Sequence, residues 1–323
     1  MTPPLVSVIV PAYNYARYLH DALASVCGQI CQAWECIVVD DGSTDDTAAV
    51  VRRWMESDAR FRLVQHSMNE GLPAARNSGV AASRGECLQF LDADDRLLPE
   101  KLARHVRFLD EHPECGVVYS EAGFFRDGEL ERLMPSMHGT LSRSLMARVH
   151  GDAWDKLQHY NIMPVASAML RRAAFTPFNE ACTAGYEDWD FWLRCAAAGV
   201  RFDFDGGDDP LVAIRVHGAS ESRNTLGMVR GLIAAAKGWP HTRLPLIYDV
   251  ALGVDAVLHG DRRGGSARIA AAAARATEPL TAKRWRAYAL AARLLPRGAF
   301  LRLFAWPMPE WPLELYRRLR GRR

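Results

Sequence analysis

The chain has 323 residues, 49% of them hydrophobic and 24% charged, with a net charge of +2, the balance of a globular protein with a sizeable core rather than a disordered or fibrous one. No apolar run reaches the roughly eighteen residues needed to cross a bilayer, and MTPPLVSVIVPAYN lacks the basic region of a secretory signal. The charge is uneven: 262–323 carries fifteen Lys or Arg against three Glu, a net of +12, which leaves −10 for 1–261. An acidic body with a basic tail points to a tail that meets an anionic surface, a solvated helix face being the plain alternative.

The first buried strand is expected at Val6–Val10, a β-rich run closed by Pro11. Leu19, Ala22, Leu23 and Val26 recur at helical spacing and predict an amphipathic helix over Tyr18–Gln29. Cys36–Val39 reads as a second strand that runs into Asp40-Asp41-Gly42-Ser43-Thr44-Asp45, a turn rich in helix-capping types. Val50, Val51, Trp54 and Met55 mark the helix after it, and Phe61–Gln65 a third strand. Pro73 suits the first turn of a helix over Pro73–Ala82. Cys87–Leu91 is a fourth strand, and it stops in Asp92-Ala93-Asp94-Asp95. Pro99 opens a helix to about Glu111, and Gly116–Tyr119 is a fifth strand.

Strands separated by single helices make a largely parallel sheet with helices on both faces, and ligands of such sheets bind beyond the carboxyl ends of the strands. Three polar clusters fall at those ends: Pro11-Ala12-Tyr13-Asn14, Asp40-Asp41-Gly42-Ser43 and Asp92-Ala93-Asp94-Asp95. The chain has neither G-x-G-x-x-G after the first strand nor G-x-x-x-x-G-K-[ST], so the usual backbone cradles for phosphate are absent. Hard oxygen donors at a strand end instead suit Mg²⁺ or Mn²⁺ holding a diphosphate. Residues 121–160 have weak periodicity and read as an insertion over the sheet edge, where an acceptor would lie. Val165–Leu170 is a further strand. In Gly185–Arg194 the residues Trp189, Trp192, Leu193 and Ala196 share a helical face, with Glu187 and Asp188 at its start. Leu211–Val216 leads to His217, Ser220 and Ser222. After Thr225 helical patterns fall at about 226–259, 265–277 and 280–295, and the final stretch mixes aromatic residues with arginines, which suits a membrane interface. The seven cysteines are odd in number and without a C-x-x-C pair, so they read as reduced, buried thiols of a cytosolic protein.

Taken together, VSVIVPAYN, VVDDGSTDDT, NEGLPAARNSG, FLDADD, EDWDFWLR and RVHGASES resemble the family 2 glycosyltransferases over about 1–222, in order and in spacing. The resemblance implies an α/β GT-A fold, and transfer of a sugar from a nucleotide-diphosphate donor with inversion, assisted by Mg²⁺ or Mn²⁺. It implies that Pro11, Ala12, Tyr13 and Asp41 border the nucleobase and ribose, with Asn69, Arg76, Asp92 and Ala93 also on the nucleotide side. Asp94 would hold the metal, D-x-D-D leaving open whether Asp95 takes or shares that role, and His217 would approach metal and diphosphate. Arg215, Ser220 and Ser222 belong to a lid over the diphosphate, and Asp188 matches the general base. Glu187 and Asp190 compete with Asp188, and a capping turn remains the plain alternative for the acids at Asp40–Asp41 and Asp92–Asp95. The family often shows a Gly-Gly-Phe-Asp-Glu-like turn before the EDW motif, where this chain has Thr176-Pro177-Phe178-Asn179-Glu180.

The expected organisation is a glycosyltransferase domain over 1–222, with a nucleotide-binding half at 1–120 and an acceptor and base half at 121–222, followed by a helical basic region at 223–323. The expected activity is hexosyl transfer, with uridine as the first choice of base and thymidine or guanosine left open, to a glycan or lipid-linked acceptor in cell-surface polysaccharide or glycolipid synthesis. The expected place is the cytoplasm, peripherally at the inner membrane through 262–323, with no nucleic-acid partner. A sugar nucleotidyltransferase is the alternative from another reaction class, although its Gly-rich basic loop is missing; a non-catalytic nucleotide-sugar-binding protein is the third reading.

Overall fold

The first strands are hydrophobic on both faces and so need cover on both sides. In the computed structural model, which describes residues 4–129, 132–134, 148–158, 161–182, 185–217, 239, 244–276, 279–296 and 299–300, helices supply that cover. In chain order the first elements are β1 (Val6–Ala12), α1 (Ala16–Cys27), β2 (Trp34–Asp40), α2 (Thr47–Ser57), β3 (Phe61–Gln65), α3 (Leu72–Ala82) and β4 (Cys87–Phe90). There follow β5 (Arg96–Leu97), α4 (Lys101–Glu111), β6 (Val117–Tyr119), β7 (Ala122–Arg126), β8 (His150–Gly151) and α5 (Trp154–Leu157). The last of the sheet region are β9 (Ala168–Arg171), α6 (Glu187–Ala197), β10 (Phe202–Phe204) and β11 (Val212–Val216). Successive strand residues point to opposite faces. Val6, Val8 and Val10 therefore share one core with Leu19, Leu23, Val51, Leu102 and Leu109, while Ile9 and Val39 face Gly79 of α3 on the other side.

The main sheet has the order β3-β2-β1-β4-β9-β6-β10-β8. Strands β3, β2, β1 and β4 are parallel. The chain moves outward from β1 to β3 and then returns to place β4 on the far side of β1, so the switch in strand order lies between β1 and β4. Crevices at such a switch are where α/β sheets take ligands. A small second sheet, β5-β11-β7, sets β11 beside β5, the strand that follows the acidic turn.

The expected elements of the first half appear with ends shifted by a few residues. Pro11 does not close β1: the strand runs on, pairing Pro11 with Val39 and Ala12 with Asp40. The expected strand at Val165–Leu170 begins instead as a 3₁₀ turn over Val165–Ser167, and β9 then lies antiparallel between β4 and β6. Strands β5, β7, β8 and β10 are not among the elements expected from the sequence. Of the seven cysteines, all are free and five are buried; burial pushes the Cys87 and Cys195 thiols up to about 11, so both act as packing.

The chain forms two compact units, one of 1–157, 161–183 and 190–218, the other of 158–160, 184–189 and 219–323. In the second, α7 (Leu244–Leu258), α8 (Arg262–Arg275) and α9 (Pro279–Leu294) follow one another. Gly253 and Gly265 let α7 and α8 touch, since a Cβ on Gly265 would lie 2.3 Å from the Gly253 carbonyl. The Ser266 hydroxyl donates to the Ala289 carbonyl at 2.7 Å and ties α8 to α9. Among the described residues no helix is long and apolar enough to cross a membrane.

A Cβ on Gly79 would lie 2.4 Å from Cγ2 of Ile9 and 3.2 Å from Cγ2 of Val39. Gly79→Ala is therefore expected to destabilise the fold by about 1–3 kcal/mol through overpacking, read as a lower urea midpoint at unchanged slope.

Candidate active site

Three carboxylates follow β4 within four residues, and each is met by a group from a distant segment. Arg76 on α3 is buried and donates from Nη2 to Asp92 Oδ1 at 2.8 Å. His217, just past β11, has Nε2 2.8 Å from Asp94 Oδ2. The Arg215 backbone N–H donates to Asp95 Oδ1 at 2.9 Å. Burial, then the negative charge of Asp92, pushes the Asp94 carboxyl above its usual range. Burial, then Asp94 and Asp92, pushes Asp95 up further. The capping alternative does not account for this turn: the residue that precedes helix α4 is Glu100, and it makes no side-chain cap.

The β1 and β2 loops are tied to each other. Asn14, in the left-handed region at φ 56°, accepts from the Thr44 N–H at 2.8 Å and donates its own N–H to Ser43 Oγ at 2.9 Å. Asp45, not Asp40 or Asp41, accepts from the Thr47 N–H at the start of α2. Asp40 accepts from the Ser43 N–H at 3.0 Å. Asp41 is buried and accepts from the Glu70 and Gly71 N–H groups, both at 2.9 Å. His66 completes the arrangement: Nδ1 lies 2.7 Å from Asp41 Oδ1, and Nε2 lies 2.9 Å from Ser78 Oγ. Gly42 at φ 72° permits the crossing, since a Cβ there would lie 2.4 Å from the Met68 backbone. Asp41 thus anchors the 69–71 turn to the end of β2. Asn69 and Tyr13 are exposed beside these loops, while Pro11, Ala12 and Ala93 are buried.

Asp188 stands at the second position of α6, after a sharp turn in which Gly185 and Tyr186 both have positive φ, 93° and 64°. Its Oδ1 accepts from the Trp189 N–H at 2.7 Å. Its two competitors are buried, Asp190 beside Arg194 Nε at 3.2 Å, whereas Asp188 is half-buried. The departing turn Thr176–Glu180 is held by Asn77 of α3, which donates to the Phe178 carbonyl and accepts from its N–H at 2.7 Å. Phe178 stacks on Phe191 with centroids 4.2 Å apart.

Arg215, expected near a diphosphate, turns its guanidinium inward instead; the side chain is 2% exposed and bonded to Asp21 and Asp127. Ser220 and Ser222 lie outside the described residues, as do 226–238 and most of 296–323. The roles of His66, Ser78, Asp21 and Asp127 carry no local signal, because each partner is distant in sequence.

The residues fit a divalent cation in one respect. Asp94 Oδ2 and His217 Nε2 are 2.8 Å apart, and adjacent donors on an octahedral ion of Mg²⁺ size sit about 3 Å apart. Burial first, and then the charge of Asp92, works against the ionised form of Asp94, and a nearby cation would favour it. Among the described residues, no group of three or more His, Cys, Asp or Glu is gathered for a metal.

The family model described as glycosyl transferase family 2 matches residues 7–175, more than half of the chain. The chain belongs to that family. TuaG of Bacillus subtilis, named for teichuronic acid biosynthesis, is 39% identical over 108 residues, 33% of this chain and 43% of its own length. The chain thus spans less than half the length of the first curated relatives it matches. Among solved structures, S. aureus TarS 1–349 in complex with UDP has a TM-score of 0.54 at 21% identity, covering 92% of this chain and 82% of that one. The mannosyltransferase PcManGT from Pyrobaculum calidifontis, in complex with GDP-Man and Mn²⁺, has a TM-score of 0.57 at 22% identity, covering 100% and 89%. Both show that this family 2 chain has the GT-A fold.

Asp41→Ala in this chain strands the Glu70 and Gly71 N–H groups and the His66 ring. It is expected to lower stability by about 1–3 kcal/mol, measured by denaturant unfolding, with Asp41→Asn costing less.

Proposed function

We propose that the chain is an inverting glycosyltransferase that moves a sugar from a nucleoside-diphosphate donor, uridine being the first candidate base, to a hydroxyl of a glycan or lipid-linked acceptor. The observation that carries this is the Asp94–His217 pair at 2.8 Å in the turn after β4, the strand across the switch from β1, whose own loop is tied to that of β2. The ligands of the fold relatives, UDP for TarS and GDP-Man with Mn²⁺ for PcManGT, support a nucleotide-sugar donor. The name of TuaG supports an acceptor in surface polysaccharide synthesis.

Asp94 and His217 would hold Mg²⁺ or Mn²⁺, with Asp95 close behind them. When bound, the ion supplies positive charge against the diphosphate leaving group. Pro11, Ala12, Tyr13, Asp41, Asn69, Arg76, Asp92 and Ala93 form the proposed nucleotide side. There Asp41 retains acceptor capacity for an N–H of the base edge, and Asp92 is aimed by Arg76. Asp188 is the proposed general base. An acceptor hydroxyl is a weak nucleophile and must lose its proton as it attacks, and of the three acids that open α6 only Asp188 is not buried. The donor half is assigned to 1–120, the acceptor and base half to 121–222.

Asp94→Asn and Asp188→Asn are each expected to reduce transfer by a factor of about 10² or more while circular dichroism is unchanged. Full activity in either variant contradicts its assigned role. The donor is found by thermal shift with nucleotide sugars: a ligand bound only by the native state raises the melting temperature, and the true donor should do so more strongly with Mn²⁺ than with EDTA.

The basic helices support a peripheral contact with anionic lipid. On α9, Lys283, Arg286, Leu290, Arg293 and Leu294 are all exposed and recur at helical spacing, and exposed basic and apolar residues on one face suit a lipid interface. Binding to vesicles containing phosphatidylglycerol is expected to fall on deletion of 296–323 and to weaken as salt rises. Unchanged binding at low salt contradicts the idea.

A further inference from the structure

Arg215 is the most heavily engaged side chain near the acidic turn. It is 2% exposed and spends each nitrogen on a different segment. Nε donates to the Asp94 carbonyl at 2.8 Å, Nη1 to Asp127 Oδ1 at 2.9 Å and Nη2 to Asp21 Oδ2 at 2.7 Å. Its backbone N–H holds Asp95. Asp127, past the end of β7, also takes Arg17 Nη2 at 2.8 Å. The guanidinium lies 4.9 Å from the Tyr18 ring and 4.7 Å from that of Phe125. The Tyr18 ring in turn packs on His217, with centroids 4.7 Å apart. One planar fork therefore joins α1, the end of β7, β11 and the acidic turn, and it shares a ring with the imidazole two residues further on.

A buried ion pair is weak evidence for stability, since apolar replacements of similar volume often serve the fold as well. What this one supplies is geometry. We propose that Arg215, held by Asp21 and Asp127, is a positioning residue that sets the spacing of Asp94 and His217 for a divalent cation. This rests on the reading that those two take the metal. Partners behind metal ligands orient them, and their loss costs about 10–100-fold in metal affinity. Lysine cannot replace the fork, because an ammonium on a flexible stem does not present three fixed directions.

The test uses the full chain and measures Mn²⁺ binding by water-proton relaxation enhancement, with an equimolar mixture of UDP, GDP and TDP present. Wild type is expected to bind Mn²⁺ and Asp94→Asn to lose it. Arg215→Lys, Asp127→Asn and Asp21→Asn are each expected to weaken Mn²⁺ binding by about tenfold or more. Their nucleotide affinity in EDTA is expected to stay at the wild-type value, which a general loosening of the fold would not allow. Asp127 and Asp21 are partly exposed, at 28% and 34%, so they carry the test should Arg215→Lys fail to fold. Wild-type Mn²⁺ affinity in all folded variants overturns the proposal, and so does an equal loss of nucleotide affinity in EDTA. If wild type and Asp94→Asn bind Mn²⁺ alike, the cation reading itself fails and takes this one with it.

Discussion

Three carboxylates at the end of a buried strand repel one another and lose solvation, and much of the surrounding structure is arranged around that conflict. Burial and mutual charge push Asp94 and Asp95 upward together. Each acid is met by one group from elsewhere: Asp92 by the Arg76 guanidinium, Asp94 by the His217 ring, Asp95 by the Arg215 backbone N–H. None of these pairings saturates the cluster. On the proposed reading, a bound cation would offset that crowding.

The proposed nucleotide side differs: there Asp41 is a carboxylate whose direction is already fixed by three contacts. Asp41 takes two backbone N–H groups and a histidine, so its orientation is set before any ligand arrives. Preorganised acceptors of that kind reduce the ordering cost of binding. The same contacts fasten the 69–71 turn, so one residue serves both fold and proposed recognition. At the start of α2 it is Asp45 that accepts from the Thr47 N–H, while Asp40 and Asp41 bond elsewhere.

How far the sequence could be read differs along the chain. Strands β1 to β4 were legible as short β-rich apolar runs, α1 and α2 by apolar residues recurring near a period of 3.6, and α3 by Pro73 in its first turn, with Pro, Gly and acidic turns punctuating them. The two-residue β5 and three-residue β10 are too short to carry a period. β7, AGFFR, opens on Ala and Gly in a stretch of weak patterning. The antiparallel insertion of β9 was hidden because a short apolar run states no direction. Of the candidate site, the acids, His217 and Arg76 were visible as motif residues, but their pairing was not, since the partners lie 16 to 123 residues apart. Arg215 was placed in a lid for its position in RVHGASES; its inward turn follows from Asp21 and Asp127, which no motif marks.

The central claim is that Asp94 and His217 share one divalent cation at the switch between β1 and β4. Anomalous diffraction at the manganese edge, from crystals grown with Mn²⁺ and a nucleoside diphosphate, tests it most directly. The account predicts a single strong peak at bonding distance from the Asp94 carboxylate and the His217 ring, with diphosphate oxygens completing the shell. A bound nucleotide with no peak there, or with the ion on other side chains, contradicts it.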